Sequence, residues 1–210
     1  MDEYLVPSGA SETEFTEKRS RFIGRIWLTE TEEEALACIK SMREQHWDAK
    51  HNVYAYIIRG GATRYSDDGE PQGTAGMPVL DVLRREELYN VTCVVTRYFG
   101  GILLGTGGLV RAYAKSAKMA VDEAGISIKR VWDRLLLACP YRLYEQVKLL
   151  VMNCEGIVDD TEFGADVMLT ILLPNTMVSH FEEKLTDLTG GQLECEHLGQ
   201  EYKAFPVDRS

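Results

Sequence analysis

Three carboxylates crowd one short turn. Asp67, Asp68 and Glu70 fall within SDDGEPQGTAG, residues 66–76. Like charges held this close raise one another's proton affinity unless a cation intervenes. Such a cluster can hold a hard ion such as Mg²⁺ or Ca²⁺, act as a general base, or orient an arginine. It can equally be a solvated turn whose carboxylates bond to nearby backbone. The EF-hand spacing is absent, because no Glu falls at the twelfth position of the loop.

A second chemical signal is the glycine-rich stretch RYFGGILLGTGGLVRAY, residues 97–113. Gly100, Gly101, Gly105, Gly107 and Gly108 precede a run with helical spacing. Glycines before a helix let backbone N–H groups converge on an anion, and the helix N-terminus adds positive partial charge. No Asp or Glu occurs from Leu88 to Val121, whereas Arg97, Arg111, Lys115 and Lys118 do. The last three are spaced to share one helical face. Arg97, Tyr98, Arg111, Lys115 and Lys118 are therefore candidate ligands for a phosphate, a carboxylate or a nucleic-acid backbone. The segment is neither a Walker loop, since Thr106 rather than Lys-Ser/Thr follows Gly105, nor a dinucleotide fingerprint, since position 110 is Val. The same glycines also suit tight turns and close helix–strand packing.

Histidine suits acid–base work near neutral pH. His46 and His51 flank WDAK, a poor spacing for zinc across a helix–strand junction, and His180 and His197 have no evident partner. Cys195 and His197 fall two apart, but no third group completes a nucleophilic set. The five cysteines are scattered without a C-x-x-C pair, which fits small buried hydrophobes in a reducing compartment. No nucleophile elbow occurs. The residues name no reaction, and they imply no cofactor and no metal centre.

The elements that must position these groups follow from periodicity. Residues 14–28 read as two short strands around the basic cluster Lys18-Arg19-Ser20-Arg21. Thr31 and Glu34 form a capping box, with Thr31 capping and Glu34 reaching back, ahead of Ala35, Ile39, Met42 and His46 at helical spacing. HNVYAYIIR (51–59) alternates as a strand does. Residues 60–76 are turn-rich, 77–88 helical, and 91–98 a buried β-branched strand. Residues 109–124 are helical. Thereafter strands at 134–139, 156–162, 166–173 and 192–203 alternate with helices opened by Pro140 and Pro174. This β-α-β-β-α-β order is the ferredoxin-like pattern. The expected boundary lies between residues 132 and 133.

That boundary divides the charge. Of 210 residues, 23 are Lys or Arg and 33 are Asp or Glu, for a net charge of −10. Residues 1–132 carry 17 basic and 19 acidic side chains, and residues 133–210 carry 6 and 14. A broadly basic nucleic-acid binder is excluded; a local anion site in the first part is not. The N-terminus is acidic without an apolar run, so no signal peptide is expected, and no apolar run approaches a membrane span. A cytoplasmic location is the expectation.

HNVYAYIIRG (51–60), YSDDGEPQGTAGMPVL (65–80) and NVTCVVTRYFGGILLGTGGLVRAYAKSA (90–117) together resemble the YigZ/IMPACT family (UPF0029). The resemblance is strong over residues 17–120, and the tail is similar to the smaller C-terminal domain of the bacterial two-domain members. It implies an α+β protein: a ribosomal protein S5 domain 2-like domain over residues 1–132, then a ferredoxin-like domain, similar to the C-terminal domain of elongation factor G, over 133–210. Asp67, Asp68, Gly69, Glu70, Gly73, Arg97, Tyr98, Gly100, Gly101, Gly105, Gly107, Gly108 and Arg111 match the family's central motifs, and His51 and Tyr56 a weaker upstream one. The family's eukaryotic relative binds the activator of a stress-responsive initiation-factor kinase. The resemblance therefore implies a translation-associated regulator whose partners are RNA, the ribosome or a translation protein, without a defined catalytic activity. The alternative is an enzyme on a phosphorylated small molecule or nucleotide, gripped by the glycine-rich loop. A pure protein-interaction module is the third reading.

Overall fold

A computed structural model describes residues 3–207. The chain separates into two compact units, one of residues 3–128 joined by 204–207, the other of residues 129–203.

The first unit begins with β1 (Tyr4–Pro7), β2 (Ser11–Glu17), β3 (Ser20–Leu28) and α1 (Glu32–Gln45). It continues with β4 (His51–Ile57), β5 (Thr63–Ser66), α2 (Gly76–Arg85), β6 (Val91–Tyr98) and α3 (Thr106–Ala124). Strands β2-β3-β6-β4-β5 form one sheet in that order. The VTCVVTRY run makes β6 the central strand, antiparallel to both neighbours and buried over all but its last residue. Both of its faces are covered, which is why it lacks alternation. Val91, Cys93 and Val95 pack with α2 and α3, in a core shared with Phe22, Leu80, Leu83, Tyr113 and Val121. Val94 faces the other way, with Ala35, Ile39 and Met42 of α1. Close packing is visible at Gly24, where a Cβ would lie 2.5 Å from the carbonyl oxygen of Ser116.

The capping box is realised with one change of partner. The Thr31 hydroxyl accepts from the Glu34 N–H at 3.2 Å, but the Glu34 carboxylate accepts from the N–H of Glu30 at 2.7 Å, not from that of Thr31. Two short strands, β1 and β5, lie where periodicity shows none. At four residues each, they are too short to establish an alternating pattern.

Strand β7 (Ile126–Cys139) starts well before residue 134 and passes through the 132/133 boundary expected from the sequence. The second unit continues with α4 (Tyr144–Asn153), β8 (Ile157–Phe163), β9 (Val167–Pro174), α5 (Val178–Thr189) and β10 (Glu196–Pro206). Pro140 and Pro174 each precede a 3₁₀ turn that leads into the helix. Strand β7 pairs with β9 and β10 and also with β1, and β9 pairs with β8, so the order within the second unit is β10-β7-β9-β8 and β1 is the fifth strand of that sheet. One face carries Leu135, Leu137, Leu169 and Ile171 against Val147, Val151, Phe181 and Leu185 of the helices. This is the ferredoxin-like arrangement, following an S5 domain 2-like unit. Among the described residues no helix is long and apolar enough to cross a membrane.

Candidate functional site

The loops at one end of the first sheet gather the residues that the sequence singles out. Antiparallel register sets His51 directly opposite Arg97, and Arg97 opposite Phe22. These three side chains share the sheet face that α3 covers. The acidic turn enters from β5 and closes over them.

Each carboxylate of that turn has its own donors. Asp67 accepts from the N–H groups of Ala75 at 3.0 Å and Gly76 at 2.8 Å through Oδ1, and from Gly73 at 2.9 Å through Oδ2. It thereby caps α2, whose N-cap residue is an alanine without a capping side chain. Asp68, at φ 44°, accepts from Arg43 at 2.8 Å and from the Asn52 N–H at 2.7 Å. Its carbonyl lies 2.7 Å from His51 Nδ1. A carbonyl can only accept, so Nδ1 carries the proton. Glu70 turns furthest inward, its side chain 4 % exposed. Its Oε1 accepts from Arg97 Nη1 at 2.5 Å and from the Tyr113 hydroxyl at 2.8 Å, with His51 Nε2 3.7 Å away. Burial, reinforced by this carboxylate, pushes the Tyr113 phenol well above its ordinary range. Among the described residues no three His, Cys, Asp or Glu side chains gather as metal ligands would.

The Asp67 cap predicts a measurable loss. Asp67→Ala strands three N–H groups, two of them on buried residues, and is expected to cost about 2 kcal/mol in chemical denaturation. Asp67→Asn keeps one acceptor oxygen and should lose about half as much. Equal stability of Asp67→Ala and the parent would refute the capping role.

The opposite sheet face carries a polar chain that the sequence reading missed. Arg25 donates to Glu12 at 2.6 Å and to His46 Nε2 at 2.7 Å. His46 Nδ1 therefore holds its proton and donates to the Tyr98 oxygen at 2.8 Å, and Tyr98 donates to Asp48 at 3.1 Å. Burial and the neighbouring guanidinium hold the His46 pKa below its usual value. Thr96 bonds Asn52 at 2.8 Å beside it. The available signal was Arg25 in β3, Asn52 in β4 and Thr96 and Tyr98 in β6, polar residues that fall on one face of largely apolar strands.

The cations divide into two kinds. Arg97 is buried: it donates to Glu70 and, at 3.3 Å, to Ser20 Oγ, and its Nε has no hydrogen-bond partner among the described residues. Lys118 is neutralised from just outside the acid-free run, by Glu86 at 3.1 Å and Asp122 at 2.5 Å. Arg111 and Lys115 are exposed. With Lys18, from the turn between β2 and β3, they line a cleft of about 260 Å³. Gly100 permits that turn to dock, for a Cβ there would lie 2.0 Å from the carbonyl carbon of Arg19. Gly101 and Gly105 adopt φ 83° and 75°, and Gly107 and Gly108 form the first turn of α3. Large apolar side chains stand out at this end: Trp47 is 83 % exposed, Leu103 81 % and Phe99 45 %. The Lys50 ammonium lies 5.8 Å from the Phe99 ring centre. A larger cleft, of about 870 Å³, lies at the far end of the sheet beside Tyr4, Arg59 and Tyr89. It contains none of the candidate site residues, although Ile57 and Arg59 of the HNVYAYIIRG segment line it.

An S5-like unit with an inward-turned acidic loop, followed by a ferredoxin-like unit, defines the class. The Impact N-terminal domain family matches residues 18–121, and a domain of unknown function (DUF1949) matches residues 137–192. IMPACT family member YigZ of Escherichia coli (strain K12) is 36% identical over 198 residues, covering 92% of this chain and 97% of the relative. IMPACT family member YvyE of Bacillus subtilis (strain 168) is 33% identical over 194 residues, covering 91% and 89%. Protein IMPACT homolog of Dictyostelium discoideum is 33% identical over 106 residues, 48% of this chain and 30% of that protein. A crystal structure of a hypothetical protein superimposes with a TM-score of 0.60 at 34% identity, covering 95% of this chain and 98% of the other. The chain belongs to the IMPACT family, and it shares both of its units with the bacterial members.

Proposed function

We propose that this protein is a cytosolic, translation-associated regulator that contacts RNA, free or on the ribosome, through the loop end of its first unit. One observation carries the reading: the carboxylates of the acidic turn, Asp67, Asp68 and Glu70, are engaged by backbone, arginine and tyrosine donors, so that five exposed cations at this end face solvent against the exposed Glu17 and Asp48. Lys18, Arg19, Lys50, Arg111 and Lys115 are exposed beside Trp47 and Phe99. Cations in this setting track a phosphate backbone, and exposed rings offer platforms for unpaired bases. The second unit, with 13 acidic and 7 basic side chains over residues 129–203, repels phosphates and suits a basic protein surface.

Fluorescence anisotropy with a short single-stranded RNA tests this. Affinity should fall about 20- to 50-fold between roughly 50 and 200 mM salt if three or four phosphates are neutralised. Trp47→Ala and Phe99→Ala should each weaken binding by about 1–3 kcal/mol. Absent binding, or binding indifferent to salt, would overturn the proposal.

A further inference from the structure

Lys18, Arg111 and Lys115 converge on the small cleft between the β2–β3 turn and α3. We infer that this cleft is a phosphate seat, which grips a single phosphate group of the bound molecule. The inference rests on the RNA reading for its location but not for its chemistry.

The wall residues carry three cations against one acid, Glu17, and the floor is Phe15, Leu104, Gly108 and Ala112. The side chains of Arg111 and Lys18 make no ion pair or hydrogen bond among the described residues. Arg111 lies back along the first turn of α3, its Nη1 3.5 Å from where a Gly107 Cβ would be. Lys115 is steadied without being neutralised, its ammonium 4.5 Å from the Phe15 ring centre. Arg111 and Lys115 are four residues apart, a like-charge spacing that disfavours the helix unless an anion sits between them. Lys118, one turn further on, has two acidic partners instead. The contrast marks where along this basic face counter-charge is supplied by the protein and where it is left to a ligand.

The turn adds an independent mark. Lys18 and Arg19 occupy φ 46° and 64°, the left-handed region that hairpins normally fill with Asn or Gly. Long cationic side chains are kept there despite the strain, which directs attention to their charge. The turn cannot drift, because the Arg19 backbone is packed on Gly100. A guanidinium fork with two ammonium groups on fixed backbone matches the tetrahedral oxygens of phosphate.

Two sources share this chemistry: the backbone of an RNA and a phosphorylated small molecule. Titrations of the full-length protein at low salt, with inorganic phosphate, with AMP and with a short single-stranded RNA, separate them. Inorganic phosphate should bind, and Arg111→Gln and Lys115→Gln should each weaken it at least fivefold. Lys118→Gln should leave it unchanged. Both substituted side chains are exposed, and unchanged melting curves would show that the variants fold. If RNA affinity falls in parallel, the ligand is an RNA phosphate. If phosphate and AMP bind and lose affinity in the variants while RNA never binds, the seat stands, its ligand is a phosphorylated small molecule, and the RNA reading falls. If phosphate fails to bind, or binds the variants as well as the parent, the seat is refuted. RNA binding that persists unchanged in those variants would then leave the RNA reading standing on its own.

Discussion

Glu70→Ala is expected to lower the stability of the first unit by about 3–5 kcal/mol, and Arg97→Ala by a similar amount. The reason is burial. The two side chains are 4 % and 5 % exposed and bonded at 2.5 Å. Removing either leaves the other charge buried without its bonded counter-charge, Arg97 keeping Ser20 Oγ and Glu70 the Tyr113 hydroxyl as neutral partners. Glu70 also accepts from Tyr113 at 2.8 Å, so its loss strands a buried hydroxyl as well. Glu70→Gln keeps acceptor geometry but leaves the guanidinium uncompensated, and should fall between Glu70→Ala and the parent. Replacing both partners with apolar residues of similar volume should recover most of the loss, because a desolvated ion pair contributes little net stability over a well-packed apolar pair. The measurement is urea denaturation followed by tryptophan fluorescence, in a double-mutant cycle. Trp27 and Trp47 report on the first unit. A coupling energy under about 0.5 kcal/mol would mean that Glu70 and Arg97 do not act as a pair, and that the acidic turn is held by Asp67 and Asp68 alone.

This pair shows where sequence reading stops. Glu70 and Arg97 are 27 residues apart, and periodicity carries no information about which loop folds onto which strand. What it does carry is face and element. The β-branched run at 91–98, which shows no strict alternation, points to a strand covered on both sides, and the six-element order of the second half is visible because each strand and helix is long enough to show its period. Strand β5, at four residues, lies inside a turn-rich stretch and was absorbed into it. The basic face read along α3 was correct as a spacing and incomplete as an electrostatic statement. Asp122 lies one position beyond the acid-free run, and Glu86 arrives from α2 in space, so Lys118 is neutralised while Arg111 and Lys115 are not. The glycines were legible as a dense cluster, but their separate tasks were not. Gly101 and Gly105 supply positive φ, whereas Gly100 makes room for a backbone from a distant hairpin.

That difference predicts opposite outcomes for neighbouring substitutions. At Gly100 an added Cβ would lie 2.0 Å from the Arg19 carbonyl carbon, 2.1 Å from its oxygen and 2.4 Å from the Ser20 nitrogen. All three are backbone atoms, so no rotamer change relieves the clash. The hairpin tip must move away, which also breaks the bonds that Ser20 Oγ receives from the Gly100 N–H at 3.2 Å and from Arg97 at 3.3 Å. Gly100→Ala should therefore cost about 3 kcal/mol, and it should displace Lys18 and Arg19 from the face proposed to contact RNA. At Gly101 nothing lies within 4 Å of an added Cβ, and only the φ of 83° opposes it. Gly101→Ala should cost about 1–2 kcal/mol and leave the hairpin in place. Denaturation curves for the two variants, with RNA anisotropy at one salt concentration, separate packing from backbone freedom. If Gly101→Ala proves as disruptive as Gly100→Ala in both measurements, the glycine-rich loop is held by its own conformation, and the docking of the hairpin onto Gly100 does not organise this end of the sheet.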